Sequence, residues 1–259
     1  MPLSGDSRVS PHGALEVLNV INELEAAGIT CCLVGVSALR YYGAARARDD
    51  WEICVPTESA SQAANLIKEM GPWESLPPVS PAPCSLAHTY PRFGWPKSNI
   101  SICIMPSKDA HLECFLSNLE HSHQGLPYPK VEVFAQSLLD VASEASLADL
   151  IDGMDLEESW GDTNLDLDGT IDLGWTNRQT QNLMASIKPN ENNVLLGYPD
   201  MPQKRRDIWQ ASVRSKVNRF GPELPEDLYN TRFRPKCSPD PRDDTERLDM
   251  EVANYGLFI

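Results

Sequence analysis

The chain has 259 residues, of which 41% are hydrophobic and 23% are charged, a composition typical of a folded globular protein. Its formal net charge of -15 argues against nucleic acid as the main partner, because phosphate backbones are bound by positively charged surfaces. No apolar run approaches the roughly 18 residues that cross a bilayer, and the first residues lack a signal-peptide core, so we expect a cytoplasmic protein that does not use a membrane.

Helical and extended patterns alternate along the first part of the chain. Apolar residues at helical spacing predict a helix over residues 14–27, and the apolar run that follows predicts a strand over residues 29–34. Further predicted elements are a short helix 37–42, a strand that carries Asp50 and Glu52, a helix 59–70, strands 100–105 and 129–134, and a helix 137–154. This order is typical of an α/β (α+β) fold with a mixed sheet flanked by helices.

Two parts of the chain lack this regularity. Residues 73–97 are rich in proline and aromatic residues, which predicts an irregular excursion near any site on the sheet. After the last predicted core helix the pattern changes to turns and short helices, of which 204–220 is the best defined, and the tail from residue 234 has the composition of an extended or partly disordered arm. We therefore expect a core over residues 1–155 and an irregular, partly helical extension over residues 156–259.

Charge is distributed unevenly between two segments. Residues 141–175 carry ten Asp or Glu and no Lys or Arg, whereas residues 204–219 carry six Lys or Arg and one Asp. Each segment alone would be a block of like charge, so we predict that the two contact each other.

The seven cysteines are odd in number and include no C-x-x-C pair, which favours reduced thiols over a disulfide framework or a zinc site. Four of them lie in apolar runs, where cysteine behaves as a small buried hydrophobe: Cys31, Cys32, Cys54 and Cys103.

Two acids stand two residues apart on a predicted strand. Asp50 and Glu52 would point to the same face of that strand, and a divalent cation is a common reason to keep two carboxylates so close. The turn at Gly35 opens a short helix whose free N–H groups would form an anion site. A phosphate cradle beside a carboxylate pair is typical of metal-dependent phosphoryl transfer.

The same stretch carries two spaced motifs. Leu33-Val34-Gly35-Val36 precedes Asp50-Trp51-Glu52-Ile53 by thirteen residues, and Gly43, Arg46 and Asp50 have the spacing Gly-x-x-Arg-x-x-x-Asp. On these residues the chain resembles the nucleotidyltransferase fold of aminoglycoside and toxin-type nucleotidyltransferases.

The resemblance implies a site and a reaction. Asp50 and Glu52 would bind Mg²⁺, Gly35 and Ser37 would hold the triphosphate, and Arg46 would contact phosphate, with a salt bridge to Asp49 or Asp50 as its alternative role. The implied activity is transfer of a nucleoside monophosphate from Mg-NTP to a hydroxyl of a small molecule or protein. The implied partner is a small-molecule substrate or a nucleotide.

Active members of that family use a third acid on a later strand, and the strand over residues 101–104 has none. Asp109, Glu113 and Glu132 are the candidates, and we expect Glu132 to be the catalytic base or third ligand because it lies in a predicted strand. Val36 and Arg48 depart from the family pattern. We weigh the active enzyme against a degenerate member that binds a ligand or partner or performs another reaction, prefer the active enzyme, and keep a pure scaffold as a third class.

A second acidic motif lies at residues 164–172, NLDLDGTID, which matches the first nine positions of an EF-hand loop. Its twelfth position is Trp175 in place of the bidentate Glu, so the sequence favours a strand entering a tight Asp-Gly turn over a calcium site.

Overall fold

The structure is a computed structural model that describes residues 13–187, 197–221, 224–225 and 227–243. The helices, in chain order, are α1 (Ala14–Ala26), α2 (Gly35–Tyr41), α3 (Ala60–Glu69), α4 (Ser107–Ala110), α5 (Val131–Asp140), α6 (Glu144–Met154), α7 (Glu158–Asn164), α8 (Leu173–Ser186) and α9 (Arg205–Arg214). The strands are β1 (Cys32–Leu33), β2 (Trp51–Val55), β3 (Glu74–Ser75), β4 (Arg92–Gly94), β5 (Ser101–Pro106), β6 (Leu119–His121), β7 (Pro127–Pro129), β8 (Tyr229–Thr231) and β9 (Arg234–Pro235). The predicted fold class, mixed helix and strand, is confirmed.

The main sheet is mixed. Its five strands run in the order β1-β2-β5-β4-β3, with β2 and β5 parallel and the other neighbours antiparallel. Strands β6 and β7 form a separate hairpin, and so do β8 and β9. The parallel pair at the centre positions β2, the strand that follows Asp50, beside β5.

The two faces of this sheet have different roles because successive side chains of a strand point to opposite sides. Trp51, Ile53 and Val55 of β2 lie in the largest hydrophobic cluster, to which α1 contributes Val17, Val20, Ile21 and Leu24. Cys54, on the opposite face of β2, belongs to a smaller cluster. The candidate site lies on this second face, together with Glu52.

Two predicted elements are wrong. The predicted strand over residues 129–134 is replaced by the end of β7 and the start of α5, where Val131, Phe134 and Ala135 are buried at helical spacing. The predicted helix over residues 137–154 is divided between α5 and α6, because Ala142 has a positive φ of 51° and interrupts the helical path.

The excursion over residues 73–97 is less irregular than predicted. It contains β3 and β4, which pair with each other and extend the sheet from β5. This extension places Arg92 of β4 beside the candidate site.

The C-terminal extension packs on the same core as the first 155 residues. Leu156, Leu167, Ile171 and Trp209 belong to the largest hydrophobic cluster. The longest helix of the extension, α8, has 14 residues and begins at an N-cap where Asp172 accepts a hydrogen bond of 2.8 Å from the Trp175 amide.

The predicted contact between the acidic and basic segments is confirmed. Basic side chains of α9 and the turn after it form ion pairs with acids of residues 141–175: Arg205 with Asp166 at 2.8 Å, Arg206 with Asp162 at 2.6 Å, Arg214 with Glu158 at 2.7 Å, Lys216 with Asp155 at 2.8 Å and Arg219 with Asp152 at 2.6 Å. The acids of the loop 164–172 are thus bound by cationic side chains or, for Asp172, by a helix N-terminus.

Asp152 is the buried centre of this charge network. Its carboxylate is fully buried and pairs with Arg219 at 2.6 Å and with Arg232 at 2.7 Å. The backbone carbonyl of Asp152 also accepts a hydrogen bond from the Thr231 hydroxyl. Asp152 therefore ties the β8–β9 hairpin to α6.

The tail predicted to be extended or partly disordered is described only to residue 243. Residues 234–243 contain β9 and turns, and residues 244–259 lie outside the described residues. None of the helices in the described ranges combines the length and the apolar character that a bilayer crossing requires.

Candidate functional site

The structure brings Gly35 and Glu52 together. The carboxylate oxygen Oε2 of Glu52 accepts a hydrogen bond of 3.1 Å from the backbone N–H of Val36, in the first turn of α2. Gly35 has a φ of 56°, and a Cβ at this position would lie 1.6 Å from the same oxygen. Glycine is therefore required for the carboxylate to approach. The sequence predicts that the free N–H groups of this turn bind a phosphate. In the structure, the N–H of Val36 binds the protein's own Glu52.

Glu52 has a perturbed acidity. Burial raises the pKa of its carboxyl from 4.5 to about 7, the hydrogen bond from Val36 acts in the opposite direction, and the nearby Asp50 and Asp49 raise it further. Glu52 therefore exchanges a proton near neutral pH.

Asp50 forms an ion pair. Arg92 donates two hydrogen bonds to its carboxylate, from Nε to Oδ2 at 2.7 Å and from Nη2 to Oδ1 at 2.8 Å. The Ser101 hydroxyl donates a further hydrogen bond to Oδ1. The side chains of Asp50 and Arg92 are 13% and 15% exposed, so this bidentate pair is largely shielded from water. Because both oxygens of Asp50 are engaged, the donor set does not suit Mg²⁺ as it stands.

Cys103 lies on β5, the strand on which the resemblance implies a third acid. It is the register partner of Glu52 on the parallel strand β5, and Arg92 is its partner on β4. Burial raises the pKa of the Cys103 thiol, and the charge of Glu52 raises it further. In the described residues, the group of three His, Cys, Asp or Glu side chains whose ligand atoms converge within 4.8 Å contains neither Asp50 nor Glu52.

The remaining predicted site residues are Ser37, Arg46 and Glu132. Ser37 is buried in α2, and Arg46 pairs with Asp149 of α6 at 3.1 Å. Glu132 lies in the first turn of α5 and not on a strand. The guanidinium carbon of Arg48 lies 3.3 Å from the centre of the Trp51 ring, a cation–π contact.

A cavity of about 310 Å³ opens beside Glu52. Asp109, one of the candidate third acids, also lines it, whereas Glu113 and Glu132 do not. Its other walls come from the start of α2, β5, the segment before β4, the α5–α6 junction and the extension, and include Val34, Gly35, Leu86, Tyr90, Met105, Leu138, Val141, Trp175 and Tyr198.

The extension closes this cavity through α8 and the segment at residues 198–199. The indole N–H of Trp175 donates a hydrogen bond of 2.6 Å to the Lys108 carbonyl, and the Gln179 amide donates one of 2.8 Å to Asp109. Trp175 and Tyr198 meet edge to face with ring centres 5.2 Å apart. These contacts fix an aromatic wall opposite the sheet.

Arg92, Tyr90, Trp175 and Tyr198 were not among the predicted site residues. The aromatic and basic run at residues 88–93 was a signal for the first two, since it was expected near the site. Trp175 appeared in the sequence only as the residue that replaced a calcium ligand. Nothing in the local pattern indicated that the extension would supply a wall.

Comparison of the chain with protein-family models and with curated proteins gives no match, so the resemblance to nucleotidyltransferases rests on the residues described above.

Proposed function

We propose that this protein binds a small organic cation in the cavity beside Glu52, on a degenerate nucleotidyltransferase-like scaffold that no longer transfers nucleotides. The observation that carries this proposal is the bidentate pair of Asp50 with Arg92. A guanidinium group takes the two carboxylate oxygens that a nucleotidyltransferase would offer to its metal ion. The hydrogen bond from Val36 to Glu52 supports the same proposal, because it uses an amide that would face a phosphate.

The charge of the cavity favours a cation over a nucleotide. Two carboxyl groups, Glu52 and Asp109, line it, and no Lys or Arg is among its lining residues in the described ranges. At an effective dielectric constant of 20, two unit charges 4 Å apart interact by about 4 kcal/mol. A carboxylate of the cavity would repel a triphosphate with an energy of this order, and it would attract an ammonium group with the same energy.

The shape and walls of the cavity favour a small ligand with an apolar body. A volume of about 310 Å³ lies at the lower end of the range for small-molecule sites. Tyr90, Trp175 and Tyr198 supply aromatic surfaces that attract ammonium groups through cation–π contacts. The ligand class is therefore a primary amine or quaternary ammonium compound of modest size.

Calorimetric titration at pH 8 tests the proposal. A panel of aliphatic and aromatic amines and quaternary ammonium compounds is compared with the four ribonucleoside triphosphates in Mg²⁺ or Mn²⁺. We expect binding by members of the cation panel, a loss of about tenfold or more in Glu52→Gln, where a charged hydrogen-bonding partner is removed, and no change in Glu74→Gln, an exposed residue of β3. A protein that binds none of the cations would refute the proposal.

Nucleotidyl transfer is the second candidate, favoured by the close approach of Gly35 and Glu52 that the motif implies. It requires nucleoside triphosphate binding in Mg²⁺ and pyrophosphate release with a hydroxylated acceptor. If Glu132 were its base, Glu132→Gln would cut turnover by about 100-fold while nucleotide binding survived. A cation-binding protein is expected to show neither pyrophosphate release nor an effect of Glu132→Gln.

The proposal includes a reducing, cytoplasmic setting. All seven cysteines are free, and five of them are buried. Free buried thiols are typical of proteins that function where glutathione and thioredoxin keep cysteine reduced.

A further inference from the structure

Three cysteines from distant parts of the chain meet under the second face of the sheet. Cys32 lies on β1, Cys54 on β2 and Cys114 in the loop after α4, and their sulfur atoms all lie within 4.8 Å of one another. Cys32 and Cys54 are fully buried and Cys114 is 5% exposed.

The strand register creates this convergence. Cys32 and Cys54 are directly opposed in the antiparallel pair β1–β2, so their side chains share a face. Cys114 covers that face, with its sulfur 3.5 Å from the sulfur of Cys54. Met105, the register partner of Cys54 on β5, packs against the same cluster. Four sulfur-bearing side chains thus come from three adjacent strands and one loop.

Sulfur ligands without nitrogen or oxygen partners select soft cations such as Cu⁺. Metal–sulfur bonds of about 2.3 Å place the three sulfurs of a trigonal site about 4 Å apart. The observed limit of 4.8 Å is close to this spacing, so small rotations of the thiol side chains would complete such a site. Structural zinc needs four ligands of the Cys or His type, and the converging group in the described residues has three.

We propose that Cys32, Cys54 and Cys114 form a three-coordinate Cu⁺ site, with the thioether of Met105 beside it. Binding replaces the thiol protons by the metal ion and releases them to solvent, with no change of oxidation state. The site lies next to the cavity beside Glu52, because Val34 and Met105 pack against the cysteine cluster and also line that cavity. The proposal does not depend on the cation-binding function of that cavity.

The test is an anaerobic titration of the reduced protein with Cu⁺ in competition with bicinchoninate. The exposed thiols Cys84 and Cys237 are first changed to Ser in every variant, so that surface sulfur does not contribute. We expect one Cu⁺ per chain to be withdrawn from the chelator, with a new near-ultraviolet sulfur-to-copper absorption band. Retained Cu⁺ should also raise the melting temperature, because it binds the folded state.

Matched variants locate the site. Cys32→Ala should lower the Cu⁺ affinity by at least the roughly 10- to 100-fold lost when outer-shell partners of a metal site are removed. Cys31→Ala should leave the affinity unchanged, because Cys31 is equally buried but belongs to the core on the other face. Cys114→Ala, which removes the ligand from the loop, should also lower the Cu⁺ affinity. The proposal is overturned if the reduced protein withdraws no Cu⁺, if Cys31→Ala and Cys32→Ala behave alike, or if Zn²⁺ binds more tightly than Cu⁺ at the same cysteines.

Discussion

Replacing Glu52 by Gln should stabilise the protein at alkaline pH. Burial raises the pKa of the Glu52 carboxyl from 4.5 to about 7, so the folded state holds a proton that the unfolded state releases. The stability from this protonated group is complete below pH 4.5 and is lost as pH rises through 7. The rise of the pKa from 4.5 to about 7 corresponds to roughly 3 kcal/mol, an upper limit because part of the Glu52 side chain is exposed.

Glutamine keeps the geometry and removes the ionisation. Its side-chain carbonyl can still accept the hydrogen bond from the Val36 amide, and it has no charge to repel Asp50. The free energy of unfolding of Glu52→Gln should therefore exceed that of the wild type at pH 8 by up to about 3 kcal/mol, and the two should be similar at pH 4.

Urea denaturation followed by tryptophan fluorescence measures this difference at both pH values, because uncharged urea neither screens Glu52 nor competes for a cation site. Glu74→Gln makes the same chemical change at an exposed position of β3 and should shift neither curve. A Glu52→Gln protein that is less stable than the wild type at pH 8, or that differs by the same amount at both pH values, would refute the reasoning.

Three further predictions concern Asp50, the buried charge network around Asp152, and the ionisation of Glu52. Asp50→Asn should lower the free energy of unfolding by about 1–3 kcal/mol, because it leaves a largely buried Arg92 without its ionic partner; urea curves that coincide with the wild type would contradict this. Asp152→Ala should lower the free energy of unfolding by about 3–5 kcal/mol in the same assay, because Asp152 is fully buried between two arginines. A decrease below about 1 kcal/mol would show that Asp152 is not the centre of the charge network. The affinity for a permanently charged quaternary ammonium ligand should rise about tenfold from pH 6 to pH 8 as Glu52 ionises, and a Glu52→Gln protein with the same rise would assign the effect to another group.

Elements with a long, unambiguous pattern were predictable from the sequence. Helices α1 and α3 and strands β2 and β5 agree with the apolar spacing of their residues. The structure of residues 131–135 was not predictable, because the spacing of Val131, Val133 and Phe134 fits both a strand and one face of a helix. Burial of Val131, Phe134 and Ala135 together decides for the helix, and burial depends on tertiary packing that the local sequence does not contain.

The candidate site was predictable only in its local part. The two short motifs predict a turn at Gly35 near the carboxylates of Asp50 and Glu52, and the structure brings Gly35 and Glu52 together. The partner of Asp50 is 42 residues away, on a strand within a proline-rich segment where none was predicted. Trp175 and Tyr198 come from the extension, which has no motif that relates it to the sheet. Long-range pairing of this kind depends on the three-dimensional register, which a single sequence does not reveal.

The carboxylates of Asp50 and Glu52 repel each other, and the chain reduces this repulsion in two ways. Arg92 supplies a positive charge to Asp50 through two hydrogen bonds. Glu52 has a raised pKa and can retain a proton near neutral pH, so its repulsion from Asp50 is reduced without a metal ion. Below pH 7 the pair is therefore balanced by groups within the chain. The charge that Glu52 gains above pH 7 lies at the cavity, where the proposed cationic ligand would neutralise it.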